Sequence, residues 1–279
     1  MCGIATISIG RRARGRISYP MVREMTKQLL IELQPRGLDA AGIAVINDPE
    51  QEQSVVFKKP LRPSRLTVRP RFQDALDLIG PQTNFIMLHA RASTVGNADS
   101  NYDNHPIIAP PIVGIHNGTL RNHEDLFRNF NLDREGGVDS EVIFRLYGRL
   151  LEKGIHPEKA MKAVAKQLEG AFTGAAVDLR HPHRMLMFKF ERPLHVLTFK
   201  HHDMIIAVSE VRHYDRAKAK LGIKASDKCS WLQDGAGFWL DVNEPGHIVK
   251  NIHRFRFPID HNIASGRRQY SHYVAGQLG

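Results

Sequence analysis

The second residue of the chain is a cysteine, and its small side chain permits removal of Met1. Removal would leave a thiol and a free α-amine on the same residue. An α-amine has an ordinary pKa of about 7.7–8.0, so near neutral pH it can accept the thiol proton, directly or through water. Cys2 is therefore predicted to act as nucleophile and general base together, although a cysteine at this position, taken alone, is more often an accident of sequence.

A pair of candidate hydrogen-bond donors lies in His116-Asn117-Gly118-Thr119, directly after an apolar stretch at 112–115. Where a strand ends in a loop, the Asn117 amide and the Gly118 backbone N–H can converge on one oxygen atom, as an oxyanion hole requires. The tripeptide Asn117-Gly118-Thr119 is also common in turns. It matches a glycosylation sequon too, which we discount because the chain has no secretory signal.

Two residues of opposite charge are candidate ligands for a zwitterion. Arg91 lies in the segment His89–Gly96, where its guanidinium could hold a carboxylate by paired hydrogen bonds. Asp139 could accept a hydrogen bond from an α-ammonium group, or it could cap the helix that follows it. Each residue alone is ambiguous, because a surface arginine and a capping aspartate are both common.

The hydrophobic pattern predicts the elements that position these residues. Strands precede a group of helices and follow it again, which predicts stacked sheets flanked by helices rather than a βαβ alternation. The polar segment Ser93–Asn104 predicts a long loop, and such loops are commonly functional. The predicted strands cover 3–9, 42–46, 53–58, 85–88, 112–115, 171–178, 185–190, 194–199, 204–208, 237–241 and 247–252. The predicted helices cover 19–33, a short segment ending near Gly80, 121–130, 139–152, 157–168 and 211–220.

Composition limits the class of protein. The 279 residues are 42% hydrophobic and 24% charged, as in ordinary globular proteins. No apolar run approaches the roughly 18–20 residues that span a bilayer. The two cysteines, Cys2 and Cys229, favour a reducing cytoplasm over a disulfide or zinc framework. The net charge of +10 allows a polyanionic partner, but the arginine clusters at 11–16 and 62–71 lack interleaved aromatic residues, so nucleic acid binding is the less favoured interpretation.

Six segments, taken in order, resemble the class II glutamine amidotransferase domain, in the form found in glucosamine-6-phosphate synthases. They are Cys2-Gly3-Ile4, the stretch from Arg36 to Gly42, His89 to Gly96, His116-Asn117-Gly118, Asp139 to Val142, and Ser209-Glu210. The resemblance covers residues 2–255, which are predicted to form the glutaminase domain, and residues 256–279 are predicted to be a tail. It implies an α+β fold, the four-layer αββα sandwich of N-terminal-nucleophile hydrolases.

The resemblance also implies a role for each candidate residue. Cys2 would be nucleophile and general base, and Asn117 and Gly118 would be the oxyanion donors. Further roles follow for Arg91 (glutamine α-carboxylate), Asp139 (α-ammonium group), Thr94 (pocket support) and Arg36 (ordering of Cys2). The implied reaction is hydrolysis of glutamine to glutamate and ammonia through a Cys2 thioester, without cofactor or metal.

The chain departs from the family pattern in two ways. Ala92 stands where glucosamine-6-phosphate synthases have a tryptophan that gates ammonia transfer, and Val95 stands where they have a histidine. No synthase domain follows the resemblance, which predicts that ammonia is delivered to an acceptor on a partner chain or within a homo-oligomer. Two alternatives remain: a catalytically silent scaffold or nucleic-acid-associated protein, and an amidase acting on another amide.

Overall fold

The computed structural model describes residues 1–199, 201–224 and 227–258, which form thirteen β-strands and seven α-helices. The strands are β1 (Gly3–Ile9), β2 (Ala40–Asn47), β3 (Val55–Lys59), β4 (Thr83–Arg91), β5 (Ile107–Ala109), β6 (Ile112–Leu120), β7 (Gly170–Asp178), β8 (Arg184–Phe190), β9 (His195–Phe199), β10 (Met204–Val208), β11 (Asp227–Trp231), β12 (Ala236–Asp241) and β13 (Ile252–Arg256). The helices are α1 (Tyr19–Glu32), α2 (Pro63–Leu66), α3 (Pro70–Asp77), α4 (His123–Asn129), α5 (Glu141–Glu152), α6 (Pro157–Ala165) and α7 (Val211–Lys220).

The strands form two antiparallel sheets. The seven-stranded sheet has the order β11-β9-β10-β1-β4-β2-β3, and the six-stranded sheet has the order β13-β12-β8-β7-β6-β5. β1 is internal to its sheet, with β10 on one side and β4 on the other. The residue that precedes β1, Cys2, is therefore carried by a strand that is paired along both edges.

Three hydrophobic clusters separate four layers. One cluster lies between the two sheets and includes Ile4, Met87 and Ile115. A second packs α1, α2, α3 and α7 on the outer face of the seven-stranded sheet, and a third packs α4, α5 and α6 on the six-stranded sheet. Along β1, Ile4 faces the other sheet while Ile7 faces the helices, as the two-residue period of a strand requires. The predicted αββα sandwich is confirmed.

Helix α1 shows how local sequence builds an outer layer. The Ser18 hydroxyl accepts a hydrogen bond from the Met21 backbone N–H, and Pro20 occupies the first turn, where its missing N–H costs nothing. Leu29 and Leu30 are fully buried against the sheet. The predicted helix at 19–33 is confirmed with its end one residue earlier.

Several predicted element boundaries are wrong. The strand predicted at 112–115 continues to Leu120, because 116–120 extend the antiparallel ladder with β7. The strand predicted at 247–252 is a 3-10 helix, Ile248–Asn251, and β13 follows it. The short strands β5 and β11 were not predicted.

The C-terminal part of the described chain belongs to the sandwich. Arg256 pairs with Ala236 at the end of β13, and Phe257 is buried in the cluster beneath α4–α6. The remainder of the predicted tail, 259–279, lies outside the described residues. Within the described ranges, no helix is both long enough and apolar enough to cross a membrane.

Candidate active site

Cys2 lies at the start of β1, beside the end of β4. Gly3 pairs with Ala90, and the Cys2 Sγ contacts the main chain of Ala92, which donates its N–H at 3.4 Å and accepts at its carbonyl oxygen at 3.5 Å. Burial raises the pKa of the thiol, although the Ala92 N–H and the N-terminal charge act in the opposite direction. Because the thiolate is the reactive form, a raised pKa means that reaction of Cys2 requires a base to take the thiol proton.

Arg36 anchors the main chain of Cys2. It ends a 3-10 helix, Gln34–Arg36, and its Nε donates to the Cys2 carbonyl oxygen at 2.8 Å. Its guanidinium also forms an ion pair with Glu210, which receives a second contact from Arg212 at 2.5 Å. Burial opposes ionisation of Glu210, but the two guanidinium groups outweigh it and lower the pKa of this carboxyl. The predicted ordering residue thus contacts Cys2 directly.

Gly37, directly after Arg36, allows this segment to approach β4. A Cβ atom built on Gly37 would lie 2.4 Å from the Arg91 carbonyl carbon, a distance that no real side chain accepts. The next contact in the sequence is Asp39 N–H to the Arg91 carbonyl oxygen at 3.0 Å. A glycine at position 37 is therefore needed so that the chain can pack closely against Arg91, the last residue of β4.

Arg91 is buried at the end of β4, with 2% of its surface exposed. Its Nη1 donates to the Asn104 side-chain oxygen at 2.8 Å, and its Nη2 donates to the Val95 carbonyl oxygen at 2.6 Å. These two bonds use two of its five N–H donors. Burial lowers the pKa of Arg91, and nearby carboxylates, with Asp103 first, oppose this effect. The side chain is a fixed cation, with two of its donors bonded to Asn104 and Val95.

The segment 92–104 folds around two residues that sequence reasoning missed. The Asp103 carboxylate accepts hydrogen bonds from the Asn97 N–H at 2.6 Å and from the Gly137 N–H at 2.5 Å. Asn104, which holds Arg91, also donates to the Ala98 carbonyl oxygen at 2.7 Å. Both side chains are buried. The available signal was an acidic residue within a polar loop that contains several asparagines. The contact of Asp103 with Gly137, 34 residues away, leaves no local signal in the sequence.

Thr94 connects this segment to β6. Its hydroxyl shares a hydrogen bond of 3.3 Å with the hydroxyl of Thr119. Thr94 is exposed, in contrast to the buried Arg91. Thr94 therefore borders the site from the solvent side.

Asn117 and Gly118 lie within β6, not in a loop after it as predicted. Asn117 is 1% exposed, and its Nδ2 has no hydrogen-bond partner among the described residues. An unpaired buried amide costs about 1–3 kcal/mol, so a group of this kind suits a ligand oxygen. A Cβ atom on Gly118 would lie 1.8 Å from the Ala171 carbonyl oxygen in β7, so only glycine fits there.

Asp139 lies between the end of β6 and the start of α5. Its Oδ2 accepts from the Leu120 N–H at 2.7 Å, and it is 3% exposed. The capping alternative is wrong, because α5 begins at Glu141 with Ser140 at the N-cap position. Ser140 instead contacts His116, whose Nδ1 lies 2.7 Å from its hydroxyl. Asp139 is thus a buried carboxylate next to the strand that carries Asn117.

The fold and the residues at this end of the sandwich define the class: the chain has the fold of N-terminal-nucleophile glutamine amidotransferase domains, and the resemblance of its motifs to that class is confirmed. It is similar to glutamine–fructose-6-phosphate aminotransferase (isomerizing) of Geobacillus kaustophilus, with 29% identity over 200 residues, 70% of this chain and 30% of that protein. The same enzyme of Vibrio cholerae is 29% identical over 282 residues, covering 100% of this chain and 42% of that protein. The chain therefore spans less than half the length of these relatives.

A solved structure shows the same fold. Glutamine phosphoribosylpyrophosphate amidotransferase from B. subtilis, complexed with ADP and GMP, superposes with a TM-score of 0.66 at 18% identity, covering 93% of this chain and 50% of that chain. At this level of identity the comparison concerns the fold alone. No family model matches the chain.

Proposed function

We propose that residues 2–255 hydrolyse glutamine to glutamate and ammonia at Cys2, once Met1 has been removed. One observation carries the proposal. The Cys2 thiol lies against the main chain directly after Arg91, and the buried amide of the oxyanion candidate Asn117 has no hydrogen-bond partner in the described part of the chain. The similar enzymes of Geobacillus kaustophilus and Vibrio cholerae are glutamine–fructose-6-phosphate aminotransferases, which supports glutamine as the substrate.

The chemistry follows from the groups present. The free α-amine of Cys2 takes the thiol proton, and the thiolate sulfur attacks the side-chain amide carbon of glutamine. The carbonyl oxygen becomes an oxyanion that accepts from the Asn117 Nδ2 and the Gly118 N–H. The C–N bond breaks as the α-ammonium returns its proton to the leaving nitrogen, which departs as ammonia. Water then hydrolyses the thioester, and glutamate is released with the thiol restored.

Recognition of glutamine requires one cation and one anion for its zwitterionic end. In the proposal, Arg91 binds the α-carboxylate and Asp139 binds the α-ammonium group. Thr94 borders the pocket, and Arg36 holds the Cys2 main chain. Both charged side chains are buried, so each interaction with the ligand is weakly screened by solvent.

The test begins with the mass of the N-terminal peptide, which must show that Met1 is absent. Wild-type protein should then release ammonia and glutamate from glutamine in equal amounts, and Cys2→Ala should release neither. Cys229→Ala is the matched control, because Cys229 is the other free thiol and is exposed on β11. Equal activity in Cys2→Ala and wild-type protein would remove the proposal.

We further propose that the ammonia serves an acceptor on a partner chain, and that the protein acts in the cytoplasm. Support comes from relatives in which the matched segment is less than half of a longer enzyme. Cys2 and Cys229 do not form a disulfide with each other, which supports a reducing compartment. In a natively purified complex, glutamate should exceed free ammonia while the acceptor is supplied. Equal yields under that condition would count against delivery to a partner.

A further inference from the structure

Strand pairing holds β6 on both sides only near its start. β5 pairs with Ile112–Gly114, whereas β7 pairs with the whole of Ile112–Leu120. Within the described sheet, the part of β6 that carries Asn117 is thus paired along one edge. A strand held along one edge has fewer constraints on its position than an internal strand.

His89, in β4 of the opposite sheet, contacts this part of β6. Its Nε2 lies 3.0 Å from the main-chain carbonyl oxygen of His116, the residue before Asn117. A carbonyl oxygen can only accept, so Nε2 carries the proton and donates it. His89 is 0% exposed, and its ring stacks on His105 with centroids 4.1 Å apart and an interplanar angle of 15°. The donor is therefore fixed in both position and orientation.

The same strand also determines the place of the nucleophile. In the β1–β4 ladder, His89 pairs with Ile4 and Ala90 pairs with Gly3. The Cys2 Sγ then contacts the main chain of Ala92. His89 in β4 and Ala92 just beyond the end of β4 lie within four consecutive residues. Ala92 contacts the proposed nucleophile, and His89 reaches the strand that carries Asn117.

We propose that His89 is a positioning residue that sets the distance between the Asn117 amide and Cys2 by holding the His116 carbonyl across the two sheets. The inference rests on the proposed function, since it assigns Asn117 to the oxyanion. It concerns the transition state and not the binding of glutamine, whose charged end is held elsewhere, by Arg91 and Asp139. Loss of His89 should therefore lower kcat and leave KM nearly unchanged.

Two substitutions separate positioning from packing. His89→Phe keeps a buried ring but removes the donor, while His89→Gln places an amide N–H near the position of Nε2. We expect His89→Phe to lower kcat by about 10²-fold, the cost of a small misplacement of a catalytic group. His89→Gln should recover kcat to within about tenfold of wild type. Met87→Leu, on the same face of β4, is the control for altered packing and should retain wild-type kcat.

Alkylation of Cys2 by iodoacetamide needs no oxyanion donor, so its rate in His89→Phe should stay within about twofold of wild type. A His89→Phe variant with wild-type kcat overturns the inference. So does an equal loss of kcat, alkylation rate and melting temperature in both His89 variants, because that pattern indicates a structural role alone.

Hydrogen exchange provides a readout that needs no activity. The peptide covering 112–120 should exchange faster in His89→Phe than in wild type, and His89→Gln should restore slow exchange. If wild-type protein fails to hydrolyse glutamine, the proposed function fails while this measurement still decides the contact. Unchanged exchange in His89→Phe would refute the role of His89 independently of the reaction.

Discussion

Gly3 in β1 pairs with Ala90 in β4, so that Cys2 and Arg91, the residues adjoining this pair, leave the ladder at the same end of the sheet. Their separation is therefore fixed by the register of two hydrogen-bonded strands. A shift of one residue in this register would turn every side chain of β1 to the opposite face of the sheet. The sheet thus fixes the main chain of the proposed nucleophile and of the predicted carboxylate ligand, while the segment 92–104 holds the Arg91 side chain.

Arg91→Lys should raise the KM for glutamine by about 10- to 100-fold, because a hydrogen bond to a charged group contributes about 1.5–3 kcal/mol and lysine cannot form the paired contact. Steady-state kinetics measure the change. Arg128→Lys, at an exposed side chain of helix α4, is the matched control and should leave KM unaltered. A KM for Arg91→Lys equal to that of wild type would exclude Arg91 as the carboxylate ligand.

Asn117→Ala should lower kcat by about 10²- to 10³-fold, the usual cost of removing one oxyanion donor. It should cost little stability, because the Asn117 Nδ2 has no partner to lose among the described residues. Asn84→Ala should have the opposite effects: it should lower stability and leave kcat nearly unchanged. Asn84 is equally buried, but its amide donates to the Pro182 carbonyl oxygen at 3.1 Å and its oxygen accepts from Arg14. Urea denaturation measures the free energy of unfolding of both variants, and steady-state kinetics measure their kcat. Equal changes in both quantities for the two variants would contradict the prediction.

Gly118→Ala should destabilise the fold by at least about 1–3 kcal/mol, the cost of forcing an atom into a packed interior. Its Cβ would lie 1.8 Å from the Ala171 carbonyl oxygen, so β6 and β7 would have to separate. For the control Gly137→Ala, the nearest atom to the new Cβ is 3.5 Å away. Chemical denaturation measures the free energy of unfolding of both variants. Equal values would contradict the prediction, because they would show that β6 and β7 accommodate the added methyl group at little cost.

Asp103→Asn should raise the KM for glutamine, because asparagine retains one acceptor oxygen where the carboxylate uses two. One of the contacts to the Asn97 and Gly137 N–H groups would be lost, and the segment that holds Arg91 through Asn104 would loosen. Asp99→Asn, in the same segment but exposed, is the control. Kinetics that do not distinguish the two variants would speak against this role.

The stability of the protein should depend on pH through His89. Burial lowers the pKa of His89 to about 3, from an ordinary value of 6.5. Between these values the unfolded chain binds a proton that the folded chain excludes, so stability rises with pH across this interval and is lost as pH falls through it. His89→Gln does not titrate. Its free energy of unfolding, measured between pH 4 and 7, should therefore fall less steeply with acid than that of wild type. Parallel profiles would show that His89 accepts a proton in the folded state.

The sequence predicted the regular elements well where hydrophobic periodicity was strong. The strands β1 and β10 were predicted from runs of apolar residues. Helix α1 was predicted from apolar residues at helical spacing, which place one face against the sheet. It failed where strands carry polar residues. Residues 116–119 read as a turn, yet pairing with β7 extends β6 through them, and β11 is a polar edge strand.

Residue types predicted the candidate site residues, whose roles stay predictions, but they did not predict the contacts among them. Cys2 and Arg91 adjoin the same strand pair, and the charge of Asp139 acts on the Cys2 thiol. Asn117 follows His116, whose carbonyl oxygen contacts His89 in β4. The contacts from Asp103 to Gly137 and from His89 to His116 join residues 34 and 27 positions apart. Such contacts depend on tertiary packing and leave no periodic signal in the chain.

Ala92 and Val95, the two positions where the chain departs from the family pattern, contribute to the site through main-chain atoms. The Ala92 N–H and carbonyl oxygen contact the Cys2 Sγ, and the Val95 carbonyl oxygen accepts from Arg91. A main-chain contact is supplied by almost any amino acid. Replacement of the side chain at position 92 or 95 can therefore leave the main-chain contacts to Cys2 and Arg91 in place.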